Sequence, residues 1–118
     1  MKRIILPKGA GKTQQLIDLS AKTGAHIVCQ DSNRAMIILN TAASQKKDIP
    51  TPVTYNDFIE TQYYYRGVRG FLFDDLDLFI QHMSGRIPVI AVTLSTNNPD
   101  DPKAEDFDGH SKSARRKN

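Results

Sequence analysis

At 118 residues the chain has length for one domain core, and its 39% apolar and 25% charged content, with five Phe and four Tyr, is that of an ordinary folded domain rather than a collagen-like or disordered one. The single cysteine, Cys29, excludes an internal disulfide and a multi-cysteine zinc site, and no stretch reaches the roughly 20 apolar residues of a membrane-spanning helix. A net charge of +3, from 16 Lys+Arg against 13 Asp+Glu, is too small by itself to announce a nucleic-acid binder.

Taken in chain order, Arg3-Ile4-Ile5-Leu6 is a short apolar run entering a Gly-rich turn, the pattern of a buried strand that ends in a loop. Lys12 to Lys22 carries Leu16, Ile17, Leu19 and Ala21 at near-helical spacing, and Gly24 is placed to stop that helix. Ala25 to Gln30 reads as a second buried strand, after which Asp31 or Ser32 caps a helix running to Lys47. Pro50 and Pro52 extend the chain into a third strand, Val53-Thr54-Tyr55, and Asn56-Asp57 opens a short helix through Glu60. Phe71-Leu72-Phe73 is a fourth strand, Leu76 to about Ser84 a helix closed by Gly85, and Ile87 to Val92 a last strand. Strands that are apolar on both faces and alternate with helices predict an α/β domain with a mostly parallel sheet of about five strands in three layers, over residues 1–99. Residues 100–118 hold one large apolar residue, Phe107, and read as a disordered charged tail.

Charge is unevenly spread. Lys2, Arg3, Lys8, Lys12 and Lys22 crowd the front, whereas Asp57, Glu60, Asp74, Asp75 and Asp77 fall between Tyr55 and Pro88. That asymmetry suits a site where an anion meets a divalent cation, although solvated helix faces of opposite sign give the same pattern.

Two motifs carry the chemistry. Pro7-Lys8-Gly9-Ala10-Gly11-Lys12-Thr13 stands between the first strand and the first helix. A phosphate cradle needs glycines so that amides can curl around the oxygens, a lysine for the β/γ charge, a hydroxyl for magnesium and a helix N-terminus behind them. Gly9, Gly11, Lys12 and Thr13 supply these parts, and the alternative is a Gly-rich turn with an incidental lysine. The second motif, Phe71-Leu72-Phe73-Asp74-Asp75, is a strand delivering carboxylates to the sheet edge where α/β ligands bind. Asp74 is the candidate magnesium partner with Thr13, and Asp75 the candidate for orienting an attacking water; Asp75 as a plain helix cap is the competing reading.

On these residues the sequence resembles the P-loop NTPases, with Lys8 to Thr13 as a Walker A element and Phe71 to Asp75 as a Walker B element. The strands His26 to Gln30 and Val89 to Val92 resemble the additional-strand division that contains AAA-type ATPases, RecA-like helicases and viral packaging motors. Thr96-Asn97-Asn98-Pro99 resembles the end of an AAA-type sensor strand, while Thr93-Leu94-Ser95-Thr96 resembles a helicase coupling segment, so Thr93, Ser95, Thr96 and Asn97 all stand as sensor candidates. The resemblance implies binding of ATP or another NTP with Mg2+ and hydrolysis in which Lys12, Asp75, Thr96 and Asn97 take part; the lack of a membrane-length apolar stretch and of a secretory-type start predicts a cytoplasmic location, the host's for a viral or phage chain. Leu6 replaces the first glycine of the loop, Asp75 stands where the family usually has Glu, and the arginine finger must come from a neighbouring copy or a partner, with Arg66, Arg69 and Arg86 as candidates. A nucleotide-binding module without turnover is the alternative function.

Tyr63-Tyr64-Tyr65-Arg66-Gly67-Val68-Arg69 interleaves aromatics with arginines, a pairing that stacks bases and neutralises phosphates of DNA or RNA; tyrosines divided between core and surface explain it equally well. His26, His82 and His110 lack ligand spacing, and Cys29, mid-strand, reads as a small buried residue.

Overall fold

The computed structural model describes residues 2–61 and 67–95. Seven elements follow in order: α1 (Lys12–Thr23), β1 (His26–Cys29), α2 (Ser32–Ser44), β2 (Val53–Thr54), α3 (Tyr55–Thr61), β3 (Phe71–Phe73) and α4 (Leu76–Ser84). The described residues fall into two compact units, Thr13–Val89 and the described parts of Met1–Lys12 with Ile90–Asn118.

The larger unit is an α/β arrangement around a parallel sheet in the order β2-β1-β3. Val28 pairs with Val53 on one side, and His26, Ile27 and Val28 pair with Phe71, Leu72 and Phe73 on the other. Strand β1 is central, which is why its Ile27, Val28 and Cys29 are fully buried, as expected of a strand covered on both faces. Below the sheet, Val28, Val53 and Tyr55 form a cluster onto which Phe58, Phe71, Phe73 and Phe79 pack. The rings meet edge to face, with centroids 4.9 Å apart for Phe58–Phe73 and for Phe73–Phe79, the arrangement that ring quadrupoles favour.

Several boundaries are set by caps. Asp31 accepts a hydrogen bond from the Arg34 amide at 2.9 Å and opens α2 as its N-cap. The same helix stops at Ser44 rather than Lys47: the amides of Lys46 and Lys47 turn back to the carbonyls of Ala43 and Ala42, with Lys46 at φ 57°. This is a left-handed helix stop made without glycine, so composition did not signal it. Helix α3 begins one residue early, because the Thr54 hydroxyl accepts from the Asp57 amide and draws Tyr55 out of the strand into the helix.

Sheet size is the main correction to the sequence reading. Among the described residues there are three strands, not about five: neither Arg3–Leu6 nor Ile87–Val92 joins a sheet. At 87–89 the groups that a ladder would use are captured by the end of α4. Gln81 Nε2 and Ser84 Oγ donate to the Ile87 carbonyl, and the Val89 amide donates to Gln81 Oε1. Pro88 has no amide to offer. Ile87 and Ile90 are accordingly 72% and 88% exposed, the reverse of a central strand. The expected tail, residues 100–118, lies outside the described residues.

Cys29 is buried as expected. Burial, and next the charge of Asp74, push its thiol from 9.0 up to about 11. Because the unfolded chain ionises first, stability held by the protonated thiol is complete below about pH 9 and is lost as pH rises toward about 11. Urea midpoints measured from pH 8 to pH 11 should therefore fall, by the equivalent of about 1–3 kcal/mol, and Cys29→Ala should flatten that slope.

Candidate functional site

The loop before α1 is built by its own backbone. The Ala10 amide donates to the Pro7 carbonyl at 3.1 Å, closing a four-residue turn whose third residue, Gly9, sits at φ +80°. Gly11 follows at φ +90°, and a Cβ at either glycine would meet nothing within 4 Å, so it is conformation rather than crowding that requires glycine there. Positive φ at alternate residues is the φ alternation that anion nests use. Pro7, Lys8, Gly9, Ala10 and Gly11 are all exposed, and Lys12, half-buried, opens α1. The first turn of α1 contains no acidic residue, so no carboxylate of its own first turn meets the positive end of its dipole.

Within the larger unit, α1 and α2 are tied along their flanks. Gln14 and Gln45 exchange two amide hydrogen bonds, at 2.8 and 2.6 Å, and Lys47 pairs with Asp18, whose carboxyl is lowered by Lys47 first and by Gln14 next. Thr13, on the first turn of α1, meets Arg34, on the first turn of α2. Arg34 Nη2 donates to Thr13 Oγ1 at 2.5 Å, and its Nε donates to Asp74 Oδ2 at 3.3 Å. One guanidinium thus bridges the hydroxyl and the carboxylate that the sequence pairs across 61 positions. Asp74 is only 4% exposed, whereas the Arg34 side chain is 35% exposed.

Sheet geometry brings them together. The Asp74 amide donates to the Val28 carbonyl at 2.9 Å, extending the β3 ladder one residue past Phe73 and delivering Asp74 to the carboxyl-terminal sheet edge. Tyr55 secures the next step: its fully buried hydroxyl lies 2.6 Å from the Asp74 carbonyl and 3.1 Å from that of Asp75. Burial first, then the charges of Asp74 and Asp75, raise the Tyr55 pKa, so the hydroxyl remains a donor at neutral pH. Asp75 sits at φ 58°, ψ 74°, a left-handed conformation that an Asp tolerates better than most residues. It occupies the N-cap position of α4 without a side-chain cap bond, so the capping role weighed for its carboxylate is not the one it plays.

The donor set suits magnesium. Mg2+ takes hard oxygens, keeps several waters and is completed by substrate phosphates, so a hydroxyl and one carboxylate are a sufficient protein share. Thr13 Oγ1 and Asp74 Oδ2 already converge on one cationic group. Among the described residues no cluster of three His, Cys, Asp or Glu side chains could hold a metal unaided, and no helix is long and apolar enough to cross a membrane.

Thr93 and Ser95 are exposed and belong to no helix or strand, while Thr96 and Asn97 lie outside the described residues, as do Tyr63, Tyr64, Tyr65 and Arg66. Arg69 is exposed, with its Cδ 3.2 Å from where a Cβ on Gly24 would stand, and Arg86 is exposed just beyond Gly85. Two residues of the site escaped the sequence reading, Arg34 and Tyr55. Arg34 had one available signal: the first turn of a helix that follows a parallel strand lies at the strand's carboxyl end, beside the acids that end the neighbouring strand. No family model, no curated protein and no solved structure matches the chain.

Proposed function

We propose that the chain is a minimal P-loop nucleotide-binding domain, related to the additional-strand ATPases, that takes Mg-ATP or another Mg-NTP and hydrolyses it while acting on nucleic acid or a partner protein in a larger assembly. The observation that carries this reading is the convergence of Thr13 and Asp74 on one cation at the carboxyl edge of a parallel sheet. The turn at Gly9 and Gly11 and the acid-free start of α1 are features that this reading asks of a phosphate loop. In this reading the amides of residues 7–13 and Lys12 hold the phosphates, Thr13 and Asp74 hold the magnesium, and Asp75 orients the attacking water. Thr96 or Asn97 senses the γ-phosphate, and an arginine from a neighbouring copy or partner completes the charge. Tyr63, Tyr64, Tyr65, Arg66 and Arg69 are the proposed nucleic-acid contacts, and the proposed setting is the cytoplasm, the host's if the chain is of phage origin.

A second reading, a module that holds nucleotide without turning it over, is favoured by Arg34 standing on both magnesium-side oxygens and by the short Asp75 arm. Phosphate release from ATP, with and without DNA, separates the two. The first reading expects release that stops in Lys12→Ala; the second expects none from the wild type despite nucleotide binding.

A further inference from the structure

The contact between Arg34 and the Thr13–Asp74 pair does more than tie two helices to a strand. We infer that Arg34 competes with magnesium for the Thr13 and Asp74 oxygens, so that the guanidinium and the metal are alternative cations of this site. The inference rests on the nucleotide reading above and adds a regulation to it.

Three observations carry it. First, Nη2 and Nε of a single guanidinium take Thr13 Oγ1 and Asp74 Oδ2 at 2.5 and 3.3 Å, the same two oxygens that a bound Mg2+ would claim. A metal ion and a guanidinium cannot both be served by that pair. Second, Asp74 is 4% exposed, and a carboxylate so far out of water needs a positive partner whether or not a metal is bound. A guanidinium is more weakly hydrated than an ammonium and forks to two acceptors, so it suits this position better than lysine would. Third, the Arg34 amide is fixed by the Asp31 cap at 2.9 Å, while its side chain is 35% exposed. The guanidinium is therefore free to swing outward on its stem while α2 stays in place. Once displaced, a guanidinium pairs well with phosphate oxygens, which would compensate for the lost carboxylate.

The consequence is that magnesium must displace a built-in competitor, so removing the charge should make the metal bind at lower concentration. The test is a thermal-shift titration of MgCl2 at fixed, saturating AMP-PNP, on wild type, Arg34→Gln and Arg34→Lys, read as the Mg2+ concentration at half-maximal stabilisation. Arg34→Gln is expected to lower that midpoint by about 10–150-fold, the factor that a hydrogen bond to a charged group is worth. It should also lower the melting temperature without ligand, because Asp74 loses its partner. Arg34→Lys keeps the charge but not the fork; it is expected to move the midpoint less in the same direction, and it carries the test if the glutamine variant is too unstable to titrate. An unchanged or raised midpoint in both variants, with AMP-PNP still stabilising them at high Mg2+, overturns the inference and leaves the nucleotide reading standing. Absence of any AMP-PNP stabilisation in wild type and variants overturns both.

Discussion

Replacing Tyr55 with alanine is expected to lower folding stability by about 3–5 kcal/mol, measured by urea unfolding, the range for removing a fully buried aromatic side chain. Few positions join so much of this unit. The ring is fully buried with Val28 and Val53, meets Phe79 at 5.1 Å and His82 at 5.5 Å, and its hydroxyl reaches the carbonyls of both candidate site acids. Such a loss is a large fraction of the 5–15 kcal/mol that holds a typical domain together. Tyr55→Phe separates packing from positioning. It keeps the ring and deletes the donor, so the expected cost is about 1–2 kcal/mol, from leaving a buried carbonyl without its partner. A phenylalanine variant as unstable as the alanine variant would show that the hydroxyl, rather than the ring, dominates.

Asp74→Asn and Asp75→Asn are expected to fail in different ways although the residues are adjacent. Asp74 is buried at the end of the β3 ladder and faces Arg34 and Thr13, so losing its charge should weaken magnesium-dependent nucleotide binding by about 10–100-fold, as loss of a metal-supporting group commonly does. Asp75 occupies a left-handed backbone position that asparagine also accepts, so Asp75→Asn should leave folding and binding near wild type. Turnover should fall instead, by about 10²–10⁴-fold if the carboxylate handles the attacking water's proton. Calorimetric affinity and single-turnover phosphate release measured on both variants decide the matter, and equal loss of affinity in the two would contradict the division of roles.

Much of the larger unit was legible because its signals are local. The apolar spacing of Leu16 and Ile17, the Asp31 cap, the β-branched content of Ile27-Val28 and the Phe71-Leu72-Phe73 run each prescribe an element without help from distant residues, and each element formed where expected. The run Ile87 to Val92 had the same local signal and did not become a strand. A strand needs a neighbour's ladder, and Gln81 and Ser84, six and three residues before Ile87, took its carbonyl first. Helix stops and starts at Lys46 and Thr54 were similarly hidden, since one used a lysine where glycine is usual and the other a hydroxyl two residues before the expected Asn56.

The site divides along the same line. Gly9, Gly11, Lys12, Thr13, Asp74 and Asp75 are proposed from the sequence because phosphate and magnesium chemistry asks for particular residue types at particular places along the chain, and the structure brings Thr13 and Asp74 of this set onto one guanidinium. Arg34 and Tyr55 are not proposed from it, because nothing in their own neighbourhood distinguishes them; their roles arise when β1 and β3 pair in register and bring α2 and the Asp74 turn to one edge. Asp31, by contrast, combined both kinds of signal, a cap residue at the end of a strand.

Under the proposed function, residues 7–13 receive a nucleotide phosphate and Thr13 and Asp74 hold magnesium. Isothermal titration of ATP into the wild type and Lys12→Ala, each with Mg2+ and with EDTA, tests it most directly. Binding by the wild type that strengthens with Mg2+ and is lost in Lys12→Ala is the predicted result. Heat signals that are equal in the two proteins, or insensitive to Mg2+, would contradict it.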